Sequence, residues 1–345
     1  MTRGIARSSS VFTLLLLSLI LASCDQSPTA SPDKNRLKID QVEKSTLGWP
    51  RSIMTREGLL TLQKAPTRIV STSVTLSGTL LAINAPLVAS GATMANTSVA
   101  AEQGFMRQWS DIANARGVTS LYQTEPNAEA IIKARPDLII IAATGGDSAM
   151  KLYDQLKDVA PTLVIGYDNK SWMQLAHIFG DLLGLENQAS AVIHDFEKHL
   201  KETKESITLP PQPTTAMVYY QDDTGANIWT SESAQGRLLE ELGFTLATVP
   251  ESVKGNISMG LRSDIVIATG ERFADAITGE TVLLFSASSK QESALKDNHY
   301  LQSNRAIKNN QVFAVGEDTF RLDYYSASHL LTRLQTLFGQ KNHAE

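Results

Sequence analysis

The sequence has 345 residues, of which 42% are hydrophobic and 19% are charged. This length suits two domains or one large bilobal unit, and the apolar fraction is sufficient for a substantial buried core. The formal net charge of −5 argues against nucleic-acid binding and implies that any anion site is local, built from a few placed cations.

The N-terminus has the pattern of a lipoprotein export signal. Two arginines precede an apolar run at 11–21, which is too short and too near the N-terminus for a stable transmembrane helix. The run ends in Leu-Ala-Ser-Cys, which resembles a bacterial lipobox, although a chance cysteine after an ordinary signal peptide is the alternative. We therefore predict a signal peptide over 1–23 and acylation of Cys24, the single cysteine of the chain. Asp25 resembles the signal that retains lipoproteins on the periplasmic face of the inner membrane.

A polar tether and a first α/β lobe are predicted next. Residues 24–48 are rich in Ser, Pro, Asp and Lys, which predicts a flexible tether. Over 49–185, β-rich apolar runs alternate with helical patterns, which favours a parallel sheet flanked by helices. The predicted strands are Arg68–Ser73, Leu87–Gly91, Leu138–Ala142 and Leu163–Tyr167, and the predicted helices are Leu76–Ile83, Ala128–Ala134, Ser148–Leu156 and Trp172–Leu183.

A long helix is predicted to join this lobe to a second one. Residues 186–207 lack Gly and Pro, and three prolines follow closely, so the helix should end there. About twenty residues make roughly 30 Å of helix, which is enough to bridge two lobes. The second lobe, 208–340, repeats the alternation of strands and helices. Its predicted strands are Thr215–Tyr220, Ile265–Ala268, Val282–Ser286 and Gln311–Val315, and its predicted helices are Ala234–Leu242 and Tyr324–Phe338.

Five contiguous segments carry a family resemblance, at 68–76, 103–110, 143–148, 227–236 and 319–327. Together they resemble the periplasmic binding proteins of iron-siderophore and vitamin B12 importers, most of all the ferric-enterobactin type. The resemblance implies two lobes with mainly parallel sheets joined by a rigid helix, and delivery of a ligand to an ABC permease of the inner membrane. It also implies a monomer that carries an enterobactin-like ferric catecholate siderophore in the cleft between the lobes.

Such a ligand determines which side chains a site needs. A ferric tris-catecholate is a trianion with three aromatic rings, and its iron is already fully coordinated, so the protein needs no metal ligand and no cofactor. Arginine suits this task because its guanidinium donates paired hydrogen bonds and stacks on rings. Arg321 is the first candidate because it follows a predicted strand of the second lobe and matches a ligand-contacting arginine of the family. A salt bridge to Asp318 or Asp323 is the alternative for Arg321.

Further candidates come from both lobes. Arg262 matches a basic position of the family, and Trp229 is expected at a loop tip where its indole could pack on a catechol ring. In the first lobe, Arg107 and Trp109 form a candidate cation–aromatic pair, although Trp109 could equally pack a loop. Thr72 and Ser73 end the first strand, where they either face the cleft or cap the next helix. One departure from the family is that Ser98 stands where relatives often carry arginine.

Docking to the permease is expected through acidic residues on each lobe. Glu129 matches the first-lobe position of the family, although an acidic residue in the first turn of a helix is also favoured by the helix dipole. The corresponding second-lobe segment near Ser258 has no glutamate, so the second contact is unassigned.

Rival functions remain open to different degrees. The six histidines show no ligand spacing, which argues against a bare-metal site, while haem or cobalamin stays possible within the same class. A siderophore hydrolase of the envelope is the rival of another class. The sequence contains no Gly-x-Ser-x-Gly motif, so we predict that the chain is not an enzyme.

Overall fold

The computed structural model describes residues 38–220, 225–253 and 264–340. The predicted signal peptide, Cys24 and Arg262 lie outside the described residues. Within the described ranges, no helix combines the length and apolar character that crossing a membrane requires.

A small antiparallel sheet precedes the first lobe. Its strands are β1 (Val42–Lys44), β2 (Arg51–Thr55) and β3 (Gly58–Leu62), paired in that order. Alternation along β2 buries Ile53 completely in the core. The predicted boundary of the flexible tether at residue 48 is therefore wrong, because β1 is already paired with β2.

The first lobe is built on a five-stranded parallel sheet. Its strands are β4 (Ile69–Ser71), β5 (Leu87–Ala92), β6 (Thr119–Gln123), β7 (Leu138–Ala142) and β8 (Thr162–Ile165). They lie in the order β6-β5-β4-β7-β8, and every residue of β7 is buried, as expected for a parallel strand covered on both faces. The helices around this sheet are α1 (Val74–Ala82), α2 (Arg107–Ala115), α3 (Ala128–Lys133), α4 (Tyr153–Leu156) and α5 (Trp172–Leu183).

The joining helix and the second lobe follow. Helix α6 (Glu186–Ser206) has 21 residues. The strands are β9 (Thr214–Tyr220), β10 (Gly225–Trp229), β11 (Ile265–Ala268), β12 (Thr281–Leu284) and β13 (Val312–Ala314). They lie in the order β11-β10-β9-β12-β13, where β10 is antiparallel to both of its neighbours and the other pairs are parallel. The helices are α7 (Ala234–Glu241), α8 (Phe273–Ala276), α9 (Ser289–Asp297), α10 (Arg305–Lys308) and α11 (Tyr324–Phe338).

A continuous hydrophobic core connects the two lobes. Trp172, at the start of α5, packs edge-on against Phe196 of α6 at 5.0 Å and against Tyr324 of α11 at 5.6 Å between ring centroids. Close approach also requires Gly78 of α1, because a Cβ there would lie 2.3 Å from the Asp323 carboxylate at the start of α11. The lobes are therefore joined by packed side chains rather than by flexible strands alone.

Candidate functional site

Arg321 lies in the segment between β13 and α11. The backbone there is fixed because the Ser326 hydroxyl donates a hydrogen bond of 2.7 Å to the Arg321 carbonyl oxygen. The guanidinium carbon is 5.2 Å from the centroid of the Phe320 ring and 5.5 Å from that of Tyr167, which belongs to the first lobe. Arg321 thus makes cation–π contacts on both sides of the boundary between the lobes.

The alternative of a salt bridge at Arg321 does not hold in this structure. Asp318 accepts hydrogen bonds from His329 at 2.7 Å and from Arg333 at 2.5 Å. Asp323 caps α11 and accepts a bond of 3.1 Å from the Gln108 side-chain amide. Both carboxylates therefore have other partners, and neither is paired with Arg321.

Two hollows meet at Arg321, and each is lined from both lobes. The first has a volume of about 70 Å³, and the second has about 260 Å³. Both lie at the carboxyl ends of strands, which is where open α/β sheets commonly bind ligands. The first is lined by Thr75, Tyr167, Lys170, Trp229, Arg237 and Phe320, among others, and the second by Thr72, Thr75, Met106, Tyr122, Asp147 and Phe320, among others.

Asp147 organises the first-lobe wall of this cleft. Its carboxylate accepts hydrogen bonds from the Ser73 hydroxyl at 2.5 Å, the Thr75 amide at 3.0 Å and the Tyr167 hydroxyl at 2.9 Å. Burial raises the pKa of the Tyr167 phenol, and the nearby Asp147 charge raises it further, so this phenol stays a neutral donor at physiological pH. The Tyr167 ring beneath Arg321 is thereby held in one orientation.

Thr72 and Ser73 are buried and already hydrogen-bonded. Ser73 caps α1 by accepting from the Leu76 amide, so the helix-cap alternative is the one observed for its side chain. The Thr72 hydroxyl donates to the Ile140 carbonyl at 3.2 Å, and the Thr72 carbonyl accepts from Tyr122 at 2.8 Å. Thr72 nevertheless lines the second hollow.

Trp229 lies at the end of β10 and not at a loop tip as predicted. It is 4% exposed, borders the first hollow and packs at 6.2 Å against the Phe320 ring. Its indole nitrogen is buried and has no hydrogen-bond partner among the described residues. The strand places the ring deep in the wall of the hollow, with its N–H still unsatisfied.

The structure does not bring Arg107 and Trp109 together as the predicted pair, because one side chain is exposed and the other is buried. Trp109 is 1% exposed and packs against Phe105 at 5.2 Å in the core, because it lies on the inward face of α2. Arg107 is exposed and donates to the backbone carbonyls of Thr97 and Ser98. The loop that bears Ser98 is thus braced by Arg107, and neither member of the pair lines the two hollows.

Glu129 is exposed in the first turn of α3, whose N-cap is Asn127. This position fits both the docking expectation and the helix-dipole alternative. Across the described ranges, no group of three or more His, Cys, Asp or Glu side chains is placed to hold a metal ion.

Several lining residues were not predicted from the sequence. Tyr167, Lys170 and Asp147 all follow the carboxyl ends of first-lobe strands, and Phe320 and Arg237 belong to the second lobe. The available signal was that Asp147 and Lys170 follow predicted strands and that Tyr167 ends the predicted strand Leu163–Tyr167. The pairing of lobes that brings Phe320 and Arg237 to them has no local signature.

The chain is similar to known periplasmic binding proteins. The sequence profile described as "Periplasmic binding protein" matches residues 69–319. The ferric enterobactin-binding periplasmic protein FepB of Escherichia coli O6:H1 is 52% identical over 290 residues, which cover 84% of this chain and 91% of the relative. The probable siderophore-binding lipoprotein YfiY of Bacillus subtilis is 25% identical over 239 residues, 68% of this chain and 66% of the relative.

A solved structure agrees with the fold. Holo-ViuP superposes with a TM-score of 0.76 at 30% identity, covering 84% of this chain and 96% of that one.

Proposed function

Because the chain belongs to the periplasmic binding protein family, we propose that it is the binding component of an ABC importer for a ferric catecholate siderophore of the enterobactin kind. This family is one of binding proteins rather than enzymes. The ligand lies in the cleft between the lobes and is handed to a permease of the inner membrane.

The observation that carries this proposal is the uncommitted Arg321 cation between aromatic rings of both lobes. A trianion with three flat rings is matched by a guanidinium that can donate paired hydrogen bonds and by ring faces beside it. The similarity to FepB over 84% of the chain supports the same ligand class. We assign the site to Arg321, Trp229 and the backbone near Thr72, and to Arg262 outside the described residues.

The delivery route follows from the same assignment. Acylation of Cys24 anchors the protein, as a monomer, to the periplasmic face of the inner membrane, and the segment after Cys24 tethers it there. Glu129 is exposed on the first lobe, where it is available to dock on a basic pocket of the permease. A second docking residue is not assigned.

Intrinsic tryptophan fluorescence tests the proposed ligand class, since Trp229 borders the first hollow. We expect ferric enterobactin to quench this fluorescence at low concentration. Ferrichrome-like hydroxamate complexes are nearly neutral and should not quench, because they gain little from a buried guanidinium. Equal affinity for both classes, or tight binding of haem or cobalamin alone, would contradict the proposal.

A further inference from the structure

Lys170 is a first-lobe cation that shares a hollow with Arg321. It follows β8, three residues after Tyr167, and lines the first hollow together with Arg321 and Arg237. Its side chain is only 12% exposed. A lysine at this depth is positioned to act on a bound anion over a short distance with little screening by solvent.

The charge of Lys170 is balanced by a carboxylate from the N-terminal segment. Asp40 Oδ2 lies 2.8 Å from Lys170 Nζ, and the Asp40 side chain is 19% exposed. The Asp40 backbone amide donates a hydrogen bond of 2.7 Å to the Met54 carbonyl oxygen of β2, and the φ angle of Asp40 is +64°. Aspartate tolerates this left-handed conformation better than most residues do. The hydrogen bond to Met54 holds the Asp40 backbone in place and thereby positions its carboxylate beside Lys170.

This ion pair separates two spaces. On one side is the first hollow with Arg321, and on the other is a lateral hollow of about 520 Å³ between the N-terminal sheet and the carboxyl ends of β7 and β8. Of these two hollows, Asp40 lines the lateral one, whereas Lys170 borders both. Asp168 also borders both, and its carboxylate accepts from the Thr144 hydroxyl.

We propose that Asp40 sets the charge that the cleft presents to its ligand by neutralising Lys170. The N-terminal segment that carries Asp40 thereby tunes affinity for anionic ligands. The inference rests on the proposed function and adds to it a specificity-determining pair. Its physical basis is that a trianion interacts more favourably with an unpaired ammonium than with one whose charge a carboxylate already offsets.

A double-mutant cycle with ferric enterobactin tests the coupling. Asp40→Asn keeps the shape and removes the charge, so it should tighten binding about three- to tenfold at low salt, with a smaller gain in 0.5 M salt. Lys170→Gln should weaken binding by a similar factor. In the Lys170→Gln background, Asp40→Asn should give only the part of its gain that comes from direct repulsion between Asp40 and the anion, because no ammonium is then freed to turn toward the ligand. An undiminished gain would show that Asp40 does not act through Lys170.

Asp181→Asn is the matched control, because it removes one negative charge from the same region. Asp181 lies 3.6 Å from Lys44, and neither residue lines the hollows around Arg321. Its affinity should stay within twofold of the wild type. Equal gains from Asp40→Asn and Asp181→Asn would overturn the proposal, as would unchanged affinity of Asp40→Asn with a lowered melting temperature. Absence of wild-type binding would instead refute the proposed function, and this inference with it.

Discussion

Arg321, the arginine proposed to bind the ligand, is not paired with Asp318 or Asp323 because other groups engage both carboxylates. Asp318 is bound by His329 and Arg333, and Asp323 is taken up by the cap of α11. Among the described residues, the guanidinium has ring contacts to Phe320 and Tyr167, which do not neutralise its charge. The charge presented at this site therefore depends on the partners of Asp318 and Asp323 as well as on the position of Arg321.

Replacing Arg321 tests this directly. Charge-assisted hydrogen bonds contribute about 1.5–3 kcal/mol each, so Arg321→Ala should weaken ferric enterobactin binding roughly 10–150-fold. Arg321→Lys keeps the charge but loses the planar fork, and it should recover part of the loss. Arg305→Ala is the control, since Arg305 is exposed and pairs only with Glu280 among the described residues. If Arg321→Ala melts many degrees lower while binding is unchanged, Arg321 has a structural role.

Helix α11 is the element that links the site to the core. Asp323 forms its capping box with Ser326, while its second oxygen accepts from Gln108 of α2 in the other lobe. Burial raises the pKa of Asp323 to about 6, although its hydrogen bonds oppose the shift. The folded state therefore binds a proton more readily than the unfolded state between about pH 4 and 6, and ionised Asp323 destabilises the fold above that window.

Asp323→Asn should therefore be more stable than the wild type at pH 7, by up to about 3 kcal/mol at 1.36 kcal/mol per pKa unit. The asparagine oxygen can still accept the cap bonds. As the pH falls from 7 to 4, the wild type should regain this difference. Urea unfolding of both proteins across this pH range measures the difference in their free energies of unfolding. Asp318, whose pKa is lowered, makes both proteins less stable as the pH falls, and this contribution cancels in the difference. A pH-independent difference would contradict the assignment.

The sequence predicts best those elements whose ends are marked by their own residues, and it predicts poorly those that depend on contacts with distant segments. Helix α11 was predicted with its observed bounds, and α6 to within one residue, because Asp323 caps the start of α11 and prolines follow the end of α6. Strand β10 and the N-terminal sheet were missed, since short antiparallel strands depend on partners rather than on their own pattern. The two tryptophans at the predicted site show the same limit. Tertiary packing, which has no local sequence pattern, buries Trp109 in the core and brings Trp229 to the wall of the first hollow.

The whole molecule is expected to work at a membrane. If Cys24 is acylated, Cys24→Ser should abolish labelling by a radioactive fatty acid and either release the domain in soluble form or leave the signal uncleaved. Multiple acyl chains bind a bilayer firmly, at about 0.8 kcal/mol per buried CH₂, so the loss should be nearly complete. Unchanged membrane attachment without lipid on Cys24 would exclude the lipoprotein anchor. Ligand affinity of the soluble form should equal that of the wild type.

The contact between lobes gives the last prediction. Gly78 of α1 faces the second lobe so closely that a Cβ would lie 2.3 Å from Asp323 Oδ2 and 2.9 Å from Trp109 Cδ1. Alanine favours a helix over glycine by about 1 kcal/mol, yet overpacking costs about 1–3 kcal/mol, so Gly78→Ala should lower the free energy of unfolding.

The same substitution should weaken ligand binding, because α1 and α11 must separate slightly and the second-lobe Arg321 then moves away from Tyr167. Gly166→Ala is the control, since a Cβ there meets nothing within 4 Å. Chemical unfolding and ferric enterobactin titration of both variants measure the two effects. A Gly78→Ala protein as stable as the control and with unchanged affinity would mean that the lobes are not held together at this contact.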